Sequence, residues 1–164
     1  MARAGKTLNQ TLKDWNRMFS PKGQEEIQQH IRKIQGNTIL APLKQRLFNF
    51  GVSGDGTKLA PYSPKTILLK RAKGVRTTPT TLFFSGDWYK SMFVHLGLFN
   101  LRHVVEVRTR GDQTKTDYLK AKYGAPILTL TREEQEVLLS EVEQFIQKKL
   151  DETFLIELNL SGKS

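Results

Sequence analysis

Leu82-Phe83-Phe84-Ser85-Gly86-Asp87-Trp88-Tyr89-Lys90-Ser91 is the stretch on which the fold turns. It reads as an apolar turn or short helix with a Ser-Gly hinge, and it feeds a strand. Directly after it come Met92-Phe93-Val94-His95-Leu96 and, across Gly97 to Asn100, Leu101-Arg102-His103-Val104-Val105-Glu106-Val107-Arg108-Thr109. In the second run Val105 and Val107 face one way, Glu106 and Arg108 the other. That is the period-two pattern of a half-buried strand. The two runs predict an antiparallel hairpin at roughly 91–98 and 101–110.

On either side of the hairpin the apolar spacing is helical. Leu8, Leu12, Trp15 and Phe19 form a stripe that reads as a short amphipathic helix or as an arm that orders on a partner, so residues 1–20 are set apart from a single domain over 21–164. Ser20 is placed to cap and Pro21 to open the next helix. Ile27, Ile31 and Ile34, then Leu40, Leu43, Leu47 and Phe50, predict a helix from about 22 to 50, kinked or broken near Gly36 to Pro42. Residues 51–62 and 74–81 read as exposed, mobile loops around a short helix opened by Ser63-Pro64.

Beyond the hairpin, Thr116 to Tyr123 reads as a helical turn or two stopped by Gly124 and Pro126. Ile127 to Leu130 reads as extended. Thr131-Arg132-Glu133-Glu134 matches a capping box and starts a helix to about 151. Phe154 to Leu158 reads as a closing edge strand or a helix extension, with the strand favoured. The fold class that follows is α+β: a long N-terminal helix and a C-terminal helix packed on a small antiparallel sheet with long loops.

The 164 residues suffice for one packed domain. There are no cysteines, which excludes disulfides, thiolate zinc sites and a cysteine nucleophile and fits a reducing compartment. No apolar run reaches the length of a bilayer span, and no secretory leader is legible, so a cytoplasmic product without a membrane partner is expected. The net charge of +10 is unevenly spread: residues 52–126 hold thirteen Lys and Arg against five Asp and Glu, while residues 127–164 hold four against eight. A basic body with an acidic end suits nucleic acid, an acidic partner, or a neighbouring copy met head to tail.

Chemistry-bearing patterns are sparse. His95 and His103 are candidate cross-strand neighbours, but two ligands without a nearby carboxylate make a poor metal site, and half-exposed strand histidines are the plainer reading. Ser85 lacks the Gly-x-Ser-x-Gly context of a nucleophile elbow. Asp87 is placed to cap a turn. No catalytic residue, metal or cofactor is expected, and the chain reads as a non-enzyme. The basic segment with Lys65, Lys70, Arg71, Lys73 and Arg76 is a candidate contact for a partner or for nucleic acid, since clustered cations release counterions from a polyanion. Phe83, Phe84, Trp88 and Tyr89 form an aromatic knot, read as core or as an interface anchor.

The order of the pieces resembles the virion-morphogenesis, tail-completion (head–tail joining) proteins of tailed bacteriophages. The resemblance rests on Pro-Tyr-Ser-Pro-Lys-Thr at 61–66, the basic segment, Leu82, Ser85, Gly86, Trp88 and Ser91, the hairpin, then Tyr118, Tyr123 and Gly124. It covers roughly residues 45–150, and the chain departs from it in having Trp88 where leucine is usual and no histidine before Tyr123-Gly124. It implies a structural protein of the virion, made in the host cytoplasm. Such a protein assembles as a homo-oligomeric ring, commonly a hexamer, between neck and tail. Its partners would be copies of itself and the portal, adaptor, neck or tail proteins, with nucleic acid secondary. These motif residues would then be structural.

Overall fold

The chain is described by a computed structural model at residues 13, 16–99, 102–111 and 113–161, and at the side chains of these other than 98, 99, 102, 103 and 153–161. The stripe residues Leu8, Leu12 and Trp15 lie outside the described residues. The molecule is about 65% helical with one two-stranded antiparallel sheet, so it is mixed, with helices toward both ends of the chain. The chain divides into two compact units, residues 34–138 and residues 1–33 with 139–164.

Helix α1 spans Pro21–Gln35 and is opened as its sequence dictates: the Ser20 hydroxyl accepts from the Gly23 amide at 3.2 Å. Ile27 and Ile31 are buried. The weak Gly36 to Pro42 stretch does not break the helix. It becomes a π turn over Gly36–Leu40, with the Ala41 amide reaching back five residues to the Gly36 carbonyl, and runs on into α2, Ala41–Gln45. The widened turn accommodates Pro42, which has no amide hydrogen and crowds the carbonyl four residues before it. A second π turn, Arg46–Phe50, ends at Gly51 with φ of 61°, where a Cβ would lie 2.2 Å from the Thr80 carbonyl oxygen.

Helix α3 spans Pro64–Ala72, with the Ser63 side chain accepting from the Thr66 amide. Helix α4 is one short turn, Asp87–Ser91, and leads into β1, Met92–Phe99, paired with β2, Arg102–Thr109. The hairpin falls within a residue of its expected bounds. Its register pairs His95 with Glu106 and His103 with Leu98, so the histidines are not cross-strand neighbours. Helix α5, Gln113–Tyr123, starts three residues earlier than the sequence suggests.

Of two segments expected to be extended, Phe154 to Leu158 is helical throughout and Ile127 to Leu130 only at Ile127 and Leu128, Thr129 keeping an extended backbone. Ala125–Leu128 is a 3₁₀ turn that buries Ile127 and Leu128, because Pro126 fixes a helix-compatible φ at its start. Helix α6 runs Arg132–Ser161, through the segment read as an edge strand. Among the described residues the sheet has two strands and no third, and helix propagation past residue 151 adds one hydrogen bond per residue with no further nucleation cost. The capping box is present: the Glu134 amide donates to Thr131 Oγ1 at 3.2 Å and the Thr131 amide to Glu134 Oε2 at 2.9 Å.

The 51–62 loop is tied down rather than loose. The Ser53 amide donates to the Thr57 carbonyl, the Leu59 amide to the Gly51 carbonyl and the Gly54 amide to the Pro126 carbonyl, at 2.8, 2.7 and 3.0 Å. Arg46 joins this loop to the start of α6, donating to the Val52 and Thr129 carbonyls and pairing with Glu134 at 3.0 Å. Ile39, Leu43, Leu47, Trp88, Met92, Val107 and Ile127 form the core of the 34–138 unit. In the other unit His30 stacks on Phe145 with ring centroids 4.2 Å apart, and Lys149 approaches Glu26 at 3.9 Å.

Candidate partner-binding face

The five cations of the basic segment part company in the fold. Lys65, Arg71, Lys73 and Arg76 are exposed, and among the described residues no carboxylate pairs with any of them. Lys70 is 1% exposed, so it leaves the set of contact residues. The reason is helical geometry: Lys70 shares the inner face of α3 with Thr66 and Ile67, at spacings of four and three.

Inside, Lys70 meets a site built to receive it. Its ammonium donates to the Tyr62 phenol oxygen at 2.9 Å and to the Phe83 carbonyl, and lies 4.3 Å from the Tyr62 ring centroid. The same phenol oxygen accepts the backbone amides of Thr81, at 3.0 Å, and Leu82, at 2.9 Å. Two successive backbone amides aimed at one oxygen make an anion-binding concavity. Leu82 adopts φ of 56°, an uncommon backbone conformation for a leucine, and its amide is one of the pair. Burial by itself would raise the Tyr62 phenol, but hydrogen bonds from Lys70 and Thr81 outweigh it and hold the group below its ordinary value. Tyr89 sits beside it and donates to the Thr81 carbonyl. Burial drives the Tyr89 phenol well above the ordinary range.

This internal clamp fixes the loop that carries the exposed cations and rings. Phe48 and Phe83 meet edge to face at 5.1 Å, and Tyr89 closes the cluster at 6.2 Å from Phe48. On the outside Arg76 lies over the Phe48 ring at 5.1 Å and donates to the Phe48 carbonyl, while Lys73 lies over the exposed Phe84 ring at 4.5 Å. Phe50 is exposed nearby in sequence. Guanidinium and ammonium groups here each lie against an aromatic ring. That composition suits acidic groups of a macromolecular partner.

The motif residues take structural positions. Leu82 and Trp88 are buried, and Trp88 Nε1 donates to Thr116 Oγ1 at 3.2 Å. Gly86 has φ of 87°, and a Cβ there would stand 3.1 Å from the Phe83 ring. The Ser85 hydroxyl donates to Asp87, which stands at the first helical position and makes no side-chain cap. Ser91 bonds the Trp88 carbonyl at 2.8 Å. Tyr118 is exposed and Tyr123 half-buried, with Lys122 over their rings at 5.9 and 5.3 Å. Gly124 has φ of 93° and closes α5.

A cleft of about 450 Å³ opens between the sheet and α5, lined by Phe93, Arg108, Gln113, Thr116, Lys120 and Leu128. Among the described residues no three His, Asp or Glu side chains gather as metal ligands. Sequence reasoning missed Tyr62 and Phe48. Tyr62 stands in the Pro-Tyr-Ser-Pro-Lys-Thr motif but its role is not legible there, and nothing marks Phe48; only the approach of segments 8 and 28 residues apart gives them their roles. Comparison with known proteins finds no matching family model, curated protein or solved structure.

Proposed function

We propose that the chain is a non-enzymatic assembly protein of a tailed-phage particle. It acts in head–tail joining or tail completion as a ring between neck and tail, and it meets its partners through the Arg76–Phe48 and Lys73–Phe84 face. The observation that carries this reading is the union of two sequence features in one surface. The Leu82 to Ser91 stretch, on which the family resemblance rests, anchors the loop that presents the basic segment. The exposed cations and the acidic end of the chain support contact with charged protein surfaces. Among the described residues no helix is long and apolar enough to cross a membrane. The test is to purify particles from an infection and look for the chain by mass spectrometry. It is expected in joined head–tail particles, and heads and tails should stay separate when its gene is deleted. Its absence from the particles overturns the reading.

A second reading is supported by the rings themselves. Exposed aromatics beside Arg and Lys form the surface on which single-stranded nucleic acid stacks. Fluorescence anisotropy with a labelled oligonucleotide tests it: binding should weaken with salt at a log–log slope of about 0.7 per phosphate contacted. No binding at low salt removes it.

A further inference from the structure

Helix α3 is built inside out. Its lysine at 70 is 1% exposed, while Leu68 and Leu69 are 67% and 51% exposed. An ordinary surface helix does the reverse. The inversion is fixed from within. Turning α3 to hide its leucines would pull the Lys70 ammonium from Tyr62 and from the Phe83 carbonyl, leaving buried polar groups without partners. The leucines are therefore held in water. Lys65 shares their outer face, at spacings of three and four residues, and Arg71 and Lys73 stand at the end of the helix.

The beginning of α6 carries the opposite surface. Val137 and Leu139 are 54% and 60% exposed. Val137 lies between Glu133 and Glu141 at spacings of four, with both carboxylates exposed, while Leu139, two residues on, stands on another side of the helix. One chain thus displays a basic stripe around Leu68 and Leu69 and an acidic stripe around Val137, with these apolar side chains in water.

We propose that the Lys65–Leu68–Leu69–Arg71 face of α3 docks on the Glu133–Val137–Glu141 face of α6 in a second copy of this chain. The contact is head to tail, because the two patches differ. Such contacts close into a ring when the rotation permits. The inference rests on the assembly reading and names the contact that would build the assembly.

The test is the mass of the full chain by light scattering after size exclusion, across concentration and salt. Mass should rise with concentration at low salt and fall back in high salt, as screening weakens the charged rim. Leu68→Asp with Leu69→Asp should weaken self-association at least about tenfold, with an unchanged circular dichroism spectrum because both side chains start in water. Glu133→Lys with Glu141→Lys should do the same, and adding Lys65→Glu with Arg71→Glu to that variant should restore association. A chain that stays monomeric at every concentration overturns the proposal, as does one whose association ignores the leucine and charge variants. Leucine variants that lose oligonucleotide binding without changing mass also overturn it, and assign the stripe to nucleic acid. A monomer that still enters phage particles sinks the self-contact and leaves the assembly reading standing. Association through α3 by a protein absent from particles does the opposite.

Discussion

Lys70 and Lys73 stand three residues apart and each lies against an aromatic ring, yet they do different work. Lys70 is enclosed, with Tyr62 at 2.9 Å and no carboxylate pairing among the described residues. Lys73 lies over Phe84 in solvent. Water sets the difference. An exposed cation over a ring contributes about 0.5–1 kcal/mol and keeps its hydration. A buried ammonium has given up its hydration, so every protein acceptor it keeps is expensive to remove. The same residue types therefore make a structural clamp on one side of α3 and a contact surface on the other.

The largest effect expected is at the inner pair. Tyr62→Phe removes the main acceptor of Lys70 and leaves the Thr81 and Leu82 amides without their partner, so unfolding free energy should fall by about 3–5 kcal/mol in denaturant titrations. Lys70→Met removes the buried charge itself and leaves the Thr81 and Leu82 amides on Tyr62, so it should cost less, about 1–3 kcal/mol. Equal costs for the two would break the contrast between clamp and face, because they would mean that the buried charge is not what makes the inner pair different.

Gly86→Ala should cost about 1–2 kcal/mol in thermal melts, since it places a Cβ at φ of 87° against the Phe83 ring. That loss tests how firmly the hinge holds the loop beneath both regions.

Alkali sharpens the comparison further, because the two inner phenols respond with opposite sign. The folded state raises the Tyr89 phenol, so its contribution is complete below the ordinary value of 10.0 and is lost as pH climbs past it. The folded state lowers the Tyr62 phenol, so its contribution is complete above 10.0 and is lost as pH falls through the lowered value. The Tyr89 displacement is the larger, so stability should fall above about pH 10, and Tyr89→Phe should flatten that fall. In the folded protein one tyrosine should ionise before the rest by ultraviolet absorbance, and Tyr62→Phe should abolish that early step.

The smallest stability effect belongs to the outer face. Lys73→Ala should change stability by less than about 1 kcal/mol, while weakening binding to an acidic partner or oligonucleotide. A large loss of stability there would mean that Lys73 also serves the fold.

Much of the framework was legible from residue order. The Ser63 and Thr131 caps, the stop at Gly124 and the alternation through Val105 and Val107 are local signals, and local hydrogen bonds and side-chain periods satisfy them. The misreadings came where a local signal was ambiguous. Ile127 to Leu130 and Phe154 to Leu158 are apolar and short enough for strand or helix; Ile127 and Leu128 close a 3₁₀ turn while Thr129 stays extended, and Phe154 to Leu158 continue α6. Lys70 was misread for a different reason: in a run of five cations nothing local distinguishes the one that faces inward.

Sequence by itself determined the mixed class, the element boundaries marked by Ser, Gly and Pro, and the charge division between body and end. The tertiary structure alone decided that Tyr62, Thr81 and Leu82 converge on one oxygen, that Lys70 is withdrawn from the surface, and that Leu68 and Leu69 are left in water. Caps and periods act over three or four residues, within reach of a pattern. The phenol–ammonium clamp joins residues eight to twenty apart, and only chain closure in space brings such groups within hydrogen-bond distance.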